Sequence, residues 1–400
     1  MKARLQELYH TAKAKLSDPQ NPAARVTALL ITVALVGGGL FLVLNRDIYN
    51  LDFVKRWMAY RHVETTDTGE ALPFTHAGGD KGSLAYLDSG VLHTSTAGAH
   101  YYSLTGEKLA EEVLAMDNPV LTTNANRTAG VAYDAGGQAL YLFGNGSELL
   151  NLTLEENSDL LSARVNEAGW LAVTAQESGF KGAVTIYDEK GRAVIKIGLS
   201  STFVVDAILS PDCKTVAVAT MNQKGSSFSS QLLFYPINSD EQEPERTVDL
   251  SDMVVLDMEY EPDRIWVLGE DRLAIVPQSA RKEPSFFSFG RAYLKGCHLG
   301  GDGFAMVLTG RYRSGSATDL QIITPDGEVY AHQPLEGQVL DFSAAGDYCT
   351  VLSGSHLDIY SKRLARYNSL DSTQGARYAV IAPDASVLMG NDQRAWLYLP

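Results

Sequence analysis

The chain has 400 residues, of which 45% are hydrophobic and 20% charged, and its formal net charge is −15. This composition is typical of a globular protein with a core and excludes an intrinsically disordered chain. An acidic surface repels nucleic-acid phosphates and anionic lipid, which argues against both as partners of the main domain. The three cysteines (Cys213, Cys297 and Cys349) are far apart in the sequence, so they form neither a disulfide framework nor a zinc knuckle.

The N-terminal region contains one long apolar segment. Residues 26–44 include no charged side chain, and at about 1.5 Å per helical residue they are long enough to cross a hydrocarbon core of about 30 Å. The polar residues that follow are not a signal-peptidase site. We therefore predict an uncleaved transmembrane helix at 26–44 behind a short cytoplasmic tail at 1–25. Basic residues lie on both sides of the segment and favour a cytoplasmic N terminus by a small margin only.

A juxtamembrane segment at 45–61 follows the predicted anchor. Apolar residues recur there at helical spacing, and Trp57 lies among basic neighbours. The pattern suits a helix lying at the membrane interface. A connecting helix that packs against the next domain is an equally good interpretation.

From residue 62 to residue 400 the chain alternates short apolar runs with turn residues, which indicates an all-β domain. Two strand patterns recur, one exemplified by Ala129–Tyr133 and one by the ten residues from Leu320. Each occurs eight times, with a spacing of roughly 40–45 residues that is typical of four-stranded propeller blades. We predict an eight-bladed β-propeller, with seven blades as the alternative. Because Pro400 follows the third strand of the last blade, we expect residues 59–67 to supply its fourth strand.

Three hairpins resemble the outer hairpin of quinoprotein-like repeats: Leu104–Leu109, Asp188–Arg192 and Thr324–Val329. The order of tail, apolar helix, basic-aromatic segment and long propeller resembles an uncharacterised family of single-pass membrane propeller proteins from Gram-positive bacteria, with quinoprotein-like or WD40-like repeats and a domain of unknown function. The resemblance implies a plasma-membrane protein with its C-terminal domain outside the cytoplasm, and it implies no activity.

Quinoproteins hold their cofactor with adjacent cysteines and an acidic calcium cluster. No two cysteines of this chain are adjacent, and the docking tryptophan of the quinoprotein hairpin is missing after Lys108 and after Glu328. We therefore expect no cofactor. The histidines show no metal-ligand spacing, and no nucleophile elbow or phosphate-binding loop occurs. No catalytic residue or metal ligand is predicted.

Two sets of residues are candidates for binding. The first lies in segments that join the second and third strands of a blade, which are displayed together on one face of a propeller: Phe180, Phe228, Arg311, Tyr312 and Arg313. Their residue types are enriched at interfaces, although mobile hairpin tips would have the same composition. The second set is Asp206, Asp257 and Asp341, at similar positions of innermost strands. They could line the channel as a ring of carboxylates that holds a cation, or each could cap a turn within its own blade.

These observations favour a binding or assembly scaffold, or a sensor, at the cell surface, with a protein or cell-wall partner. The alternative is an extracytoplasmic enzyme, a polysaccharide hydrolase or lyase, with its site in the propeller channel. A purely structural role in a membrane complex is a third possibility. The ligand and the oligomeric state stay open.

Overall fold

The computed structural model describes residues 22–44, 51–87, 90–225, 227–238, 243–354 and 356–400. The chain divides into two units, the first ending at Tyr60 and the second beginning at Arg61. The first unit contains the helices α1 (Pro22–Leu44) and α2 (Leu51–Tyr60). The second unit contains all the strands of the described chain.

Both helices expose apolar side chains. In α1 these include Leu29, Leu35 and Phe41, and in α2 they include Trp57 and Met58. Across the described residues, no helix combines the length and the hydropathy that a membrane crossing requires. The anchor at 26–44 therefore stays a prediction. The first 21 residues, most of the predicted cytoplasmic tail, lie outside the described residues.

The second unit consists of eight four-stranded antiparallel sheets, the blades. The strands of blades 1 and 2 are β2 (Ser83–Leu87), β3 (Gly90–Ser95), β4 (Gly98–Tyr102), β5 (Lys108–Glu112), β6 (Pro119–Thr123), β7 (Ala129–Asp134), β8 (Ala139–Gly144) and β9 (Ser147–Thr153). Those of blades 3 and 4 are β10 (Asp159–Val165), β11 (Leu171–Gln176), β12 (Gly182–Tyr187), β13 (Ala193–Leu199), β14 (Phe203–Leu209), β15 (Thr215–Lys224), β16 (Ser227–Pro236) and β17 (Arg246–Ser251).

Those of blades 5 and 6 are β18 (Val255–Glu261), β19 (Arg264–Gly269), β20 (Arg272–Pro277), β21 (Ser285–Ser288), β22 (Tyr293–Gly301), β23 (Phe304–Gly310), β24 (Asp319–Ile323) and β25 (Val329–Pro334). Those of blades 7 and 8 are β26 (Val339–Ala345), β27 (Tyr348–Ser353), β28 (His356–Ser361), β29 (Arg366–Leu370), β30 (Tyr378–Ile381), β31 (Val387–Gly390), β32 (Arg394–Tyr398) and β1 (Phe74–Thr75). The predicted all-β propeller is confirmed, with eight blades rather than seven.

Burial explains the pattern of the second strands and its contrast with the outermost strands. The second strand of a blade is covered on both sides by neighbouring blades, so β7 is almost continuously buried and has a run of apolar residues. The outermost strand has one side near solvent, and β9 alternates between exposed and half-buried residues. Hydrophobic clusters fill the space between consecutive blades. For example, Leu232 of blade 4 and Val267 of blade 5 belong to one buried cluster.

The N-terminal segment of the ring completes blade 8, as predicted, but with different residues. Phe74 pairs with Ala395, and the amide of Ala71 donates to the carbonyl of Leu397 at 2.8 Å. The prediction that residues 59–67 supply this strand was wrong, because residues 65–71 form a turn that reverses the chain before it reaches β32. Gly69 has a φ of +88° and lies against the carbonyl of Leu399, where a Cβ atom would collide.

The ring has two faces that differ in their loops. One face, which we call the upper face, carries the loops between second and third strands. It also carries the segments that link successive blades. The lower face carries the turns between first and second strands and between third and fourth strands. Both kinds of upper loop lie at the same end because neighbouring strands are antiparallel.

Candidate functional site: the channel and its upper mouth

The innermost strands of the blades surround a central channel. Contacts between consecutive innermost strands run around the ring, including β30 with β2 at the closing seam. A cavity of about 400 Å³ lies in the channel and is lined by side chains from seven innermost strands or the turns that follow them. The channel is therefore a polar compartment formed by many blades.

A β-bulge recurs at one register position of five innermost strands. The irregularity precedes Ser162, Asp206, Asp257, Gly296 and Asp341. A bulge inserts one extra residue and redirects its neighbours. The three aspartates predicted at similar repeat positions thus occupy equivalent places, each within a strand and none in a turn, so they do not cap turns of their own blades.

Arg164 joins two of these aspartates. Its Nη2 atom lies 2.8 Å from Oδ2 of Asp206 and 2.6 Å from Oδ1 of Asp257, while Ser162 donates to Oδ1 of Asp206 at 2.5 Å. Burial disfavours the charged guanidinium, but the charges of Asp206 and Asp257 outweigh that effect and raise the pKa of Arg164. The place that the sequence suggested for a cation between these carboxylates is thus taken by a side chain of the protein.

The third aspartate makes a link between blades 7 and 8. Asp341 accepts from the amide of Phe342 at 2.9 Å and from the amide of Ala379, in blade 8, at 2.7 Å. Burial raises the pKa of Asp341 to about 6 despite these two donors. Asp257 and Asp341 line the cavity, and Asp206 shares the Arg164 guanidinium with Asp257. Two of the predicted carboxylates therefore serve one ion-pair network, and the third serves a link between blades.

Besides Arg164, two titratable residues were not predicted from the sequence, and each lies two positions beyond the bulge, as Arg164 does. Burial raises the pKa of Glu259 to about 8, with Arg164 opposing and Asp257 adding to the shift. Burial lowers the pKa of His298 to about 3, and Arg127 adds to the effect. At neutral pH the channel therefore contains a neutral imidazole and a largely protonated carboxyl group. Comparing the second position after the bulge across blades would have found both.

Arg127 closes the lower end of the channel. It lies in the turn after β6, has a φ of 56°, and is buried. Its guanidinium donates to the carbonyl of Ile381 and, at 3.3 Å, to that of Ala344, in blades 8 and 7. One side chain from blade 2 thus spans the channel to the far blades.

The chemistry of the channel does not resemble a metal or thiol site. Within the described residues, no group of three His, Cys, Asp or Glu side chains could hold a metal ion. Burial raises the pKa of the Cys297 thiol, so this side chain stays protonated at neutral pH and is a poor nucleophile.

Apolar side chains surround the upper end of the channel. Three of them, Leu161, Leu256 and Leu340, are the extra residues of the bulges, and Phe203 and Tyr293 begin innermost strands. All five are exposed, Leu256 by 52%. We call these five residues the apolar mouth. The bulges explain the exposure of the three leucines, because a regular strand would direct these side chains between blades.

The predicted binding residues lie on the same face as the apolar mouth. Phe180 is in the loop between β11 and β12, and Arg311, Tyr312 and Arg313 are in the loop between β23 and β24. Phe228 is instead part of β16, because β15 and β16 continue to pair as far as Lys224 and Ser227. The prediction of a loop there was wrong: it is a long β-hairpin. All five predicted side chains are exposed.

Solved structures show the same architecture at low sequence identity. The C-terminal WD40 domain of Sif2 is 12% identical and gives a TM-score of 0.55, with 78% of this chain and 93% of that domain covered. Hsv2 of Kluyveromyces marxianus is 12% identical with a TM-score of 0.46, covering 68% of this chain and 89% of that protein. At such identity the likeness to the Sif2 domain shows a WD40-like propeller fold alone. No curated protein matches the chain. A family model described as a family of unknown function, DUF5711, matches residues 59–369, and the chain belongs to that family.

Proposed function

We propose that this protein is a membrane-anchored scaffold at the cell surface, and that its upper face binds a protein partner. The observation that carries the proposal is the collection of exposed apolar side chains on that face: the apolar mouth, Phe180, Phe228 and Tyr312. Among the described residues, the turns between first and second strands on the lower face contribute no large exposed apolar side chain. Aromatic residues are enriched at the interaction sites of proteins.

The membrane anchor and the location are part of this proposal. The support is α1, whose 23 residues correspond to about 34 Å of helix, with its described apolar side chains exposed and no charge between Val26 and Leu44. The exposed Trp57 and Met58 of α2 are suited to the interface next to an anchor. In this arrangement the N terminus is cytoplasmic and the ring is outside the plasma membrane.

The test is partner retention by the full-length chain. Leu256→Asp combined with Leu340→Asp places charge in the apolar mouth, and we expect it to abolish crosslinking to the partner in intact cells. Leu149→Asp is the matched control, because Leu149 is similarly exposed on an outermost strand. Retention of the partner by the mouth variant, or equal loss in the control, would contradict the proposal. Exchange of 26–44 for an unrelated anchor tests whether the ring alone selects the partner.

A second candidate function is hydrolysis of a polysaccharide in the channel. The observation that favours it is the neighbourhood of Glu259, largely protonated at neutral pH because its pKa is about 8, and Asp257, whose carboxylate is paired with Arg164 at 2.6 Å. Alternate residues of a strand are about 7 Å apart, a separation compatible with an acid and a base in a glycosidase. Glu259→Gln would abolish sugar release from isolated cell wall if this is the function, whereas a scaffold would keep its partner unchanged.

A further inference from the structure

Four basic residues come together at the upper end of blade 6. Arg291 is in the segment that enters the blade, Lys295 is the extra residue of the bulge in β22, and Arg311 and Arg313 are in the loop after β23. The ammonium group of Lys295 donates to the carbonyl of Arg313 at 2.8 Å, which holds the innermost strand and the loop together. The cluster is thus assembled from three segments of the chain.

None of these four cations forms an ion pair within the described part of the protein, although Arg311 is near enough to Asp319 to contribute, after Thr318 and His332, to lowering the pKa of that carboxyl group. Elsewhere on the ring, Arg264, Arg272 and Arg377 each pair with aspartate. The chain as a whole carries a net charge of −15. A local cluster of positive charge on an acidic protein favours a negatively charged partner at this place.

A groove beside the cluster has a mixed lining, polar at Ser316 and Gln338 and apolar at Val339 and Leu340. It lies between blades 6 and 7, has a volume of about 500 Å³, and is lined by Lys295, Leu308, Val339, Leu340 and Phe342 among others. Asp341 also lines it, but its carboxylate accepts from two backbone amides and is committed to the link with blade 8.

Tyrosines flank the groove and the basic cluster. Tyr293 begins β22 next to Lys295, and Tyr312 lies between Arg311 and Arg313 with 73% of its surface exposed. Tyrosine and arginine are the residue types that contribute most to protein interfaces. A polyphosphate chain would gain from the cations but has no side chain to contact Leu340 and Phe342 in the groove.

We propose that the blade 6 sector of the upper face binds an acidic segment of a partner protein, which places an apolar side chain in the groove between blades 6 and 7. This inference rests on the proposed function and specifies the chemistry of the partner. The carboxylates of the segment pair with Arg291, Arg311 and Arg313, while Leu340 and Phe342 contact its apolar residue.

The test begins with site-specific photocrosslinking of the full-length chain in its native cells. A photoreactive phenylalanine replaces Tyr312, Phe180 or Phe228 in turn, and the crosslinked peptide is identified. Its synthetic copy is then titrated against wild-type protein, R311E/R313E and the control K190E/R281E, which changes the net charge equally on the lower face. We expect an acidic peptide at Tyr312, about tenfold weaker binding by R311E/R313E, and no change in the control. Leu340→Ser should weaken binding as well.

The outcomes separate this inference from the proposed function. A basic or uncharged peptide, a phosphate polymer in place of a peptide, or equal binding by R311E/R313E overturns the inference. Crosslinks at Phe180 or Phe228 but none at Tyr312 also overturn it and leave the upper face as a binding surface. Absence of crosslinks at all three positions contradicts the proposed function together with the inference.

Discussion

Three buried histidines lie together at the seam where the ring closes. The ring centroids of His76 and His93 are 4.2 Å apart, and those of His93 and His100 are 6.4 Å apart. His76 follows the closing strand β1, and its two ring nitrogens lie 3.0 Å from the carbonyl of Ala77 and 2.9 Å from that of Asn391. The other two histidines are in blade 1, so the cluster lies where blades 1 and 8 meet.

The environment of His93 strongly disfavours its charged form. His93 is only 3% exposed, and burial, together with the charges of His76 and His100, lowers its pKa to about 3. Burial also lowers the pKa of His100, against the opposing charge of Glu111, which itself pairs with Lys108 at 2.6 Å. In the unfolded chain a histidine has its ordinary pKa of about 6.5. The unfolded state therefore takes up a proton at a higher pH than the folded state does. The free energy of unfolding is unaffected by His93 above about pH 6.5, and it decreases as the pH falls below that value.

The magnitude follows from the two pKa values. At pH 4.5 the unfolded His93 is protonated and the folded one is not, which lowers the free energy of unfolding by about 1.4 kcal/mol per pH unit below 6.5, or about 2.7 kcal/mol in total. His93→Gln removes the titrating group. Between pH 7 and pH 4.5, the free energy of unfolding of the wild-type protein should fall by about 2.7 kcal/mol more than that of this variant.

Urea denaturation of the full-length protein at pH 7, 6, 5 and 4.5 measures this difference, with tryptophan fluorescence as the readout. The carboxylates contribute equally to both proteins, so the difference isolates His93. His332→Gln is the control, because His332 is exposed and pairs with Asp319 at 2.9 Å on the outer part of blade 6. Parallel pH curves for wild type and His93→Gln would refute the reasoning.

Three further predictions concern the channel and the closing seam. Arg164→Met leaves two carboxylates without their cation and should lower the free energy of unfolding by about 3 kcal/mol, measured by urea denaturation; an unchanged midpoint would contradict the ion-pair geometry. Glu259→Gln replaces a buried acid whose pKa is raised to about 8, so it should stabilise the ring. The gain over wild type should grow from pH 5 to pH 8 in thermal unfolding, because in this window the carboxyl group is ionised in the unfolded wild-type chain while it stays protonated in the folded one. Gly69→Ala should lower the free energy of unfolding by about 1 kcal/mol or more, because of its positive φ and the collision with Leu399. Gly78→Ala, with open space around it, should be neutral. Equal effects of the two substitutions would disprove the steric argument.

The hairpin of blade 4 shows where local composition misleads. Residues 222–230 are rich in Ser, Asn and Gly, which favour turns, and the sequence indicated a loop. The structure continues β15 and β16 through this segment because each strand supplies hydrogen-bonding partners for the other. Pairing between strands overrode the propensity of the individual residues.

The sequence by itself determined the repeat and the equivalent positions of Asp206, Asp257 and Asp341, and it favoured eight blades over seven. These depend on local information, because the alternation of buried residues and the spacing of turns repeat within each blade. It also placed Phe180 and Tyr312 on one face, since antiparallel topology sends both loops to the same end.

Only the tertiary structure decided which groups meet across the channel and the seam. Arg164 pairs with aspartates 42 and 93 positions away, and Arg127 contacts a carbonyl 254 positions away. The closing of a ring brings the first and last segments together, and no period within a blade encodes which residue of one faces which residue of the other. The raised pKa of Glu259 and the lowered pKa of His93 have the same origin, because each depends on burial by neighbouring blades that the local sequence does not specify.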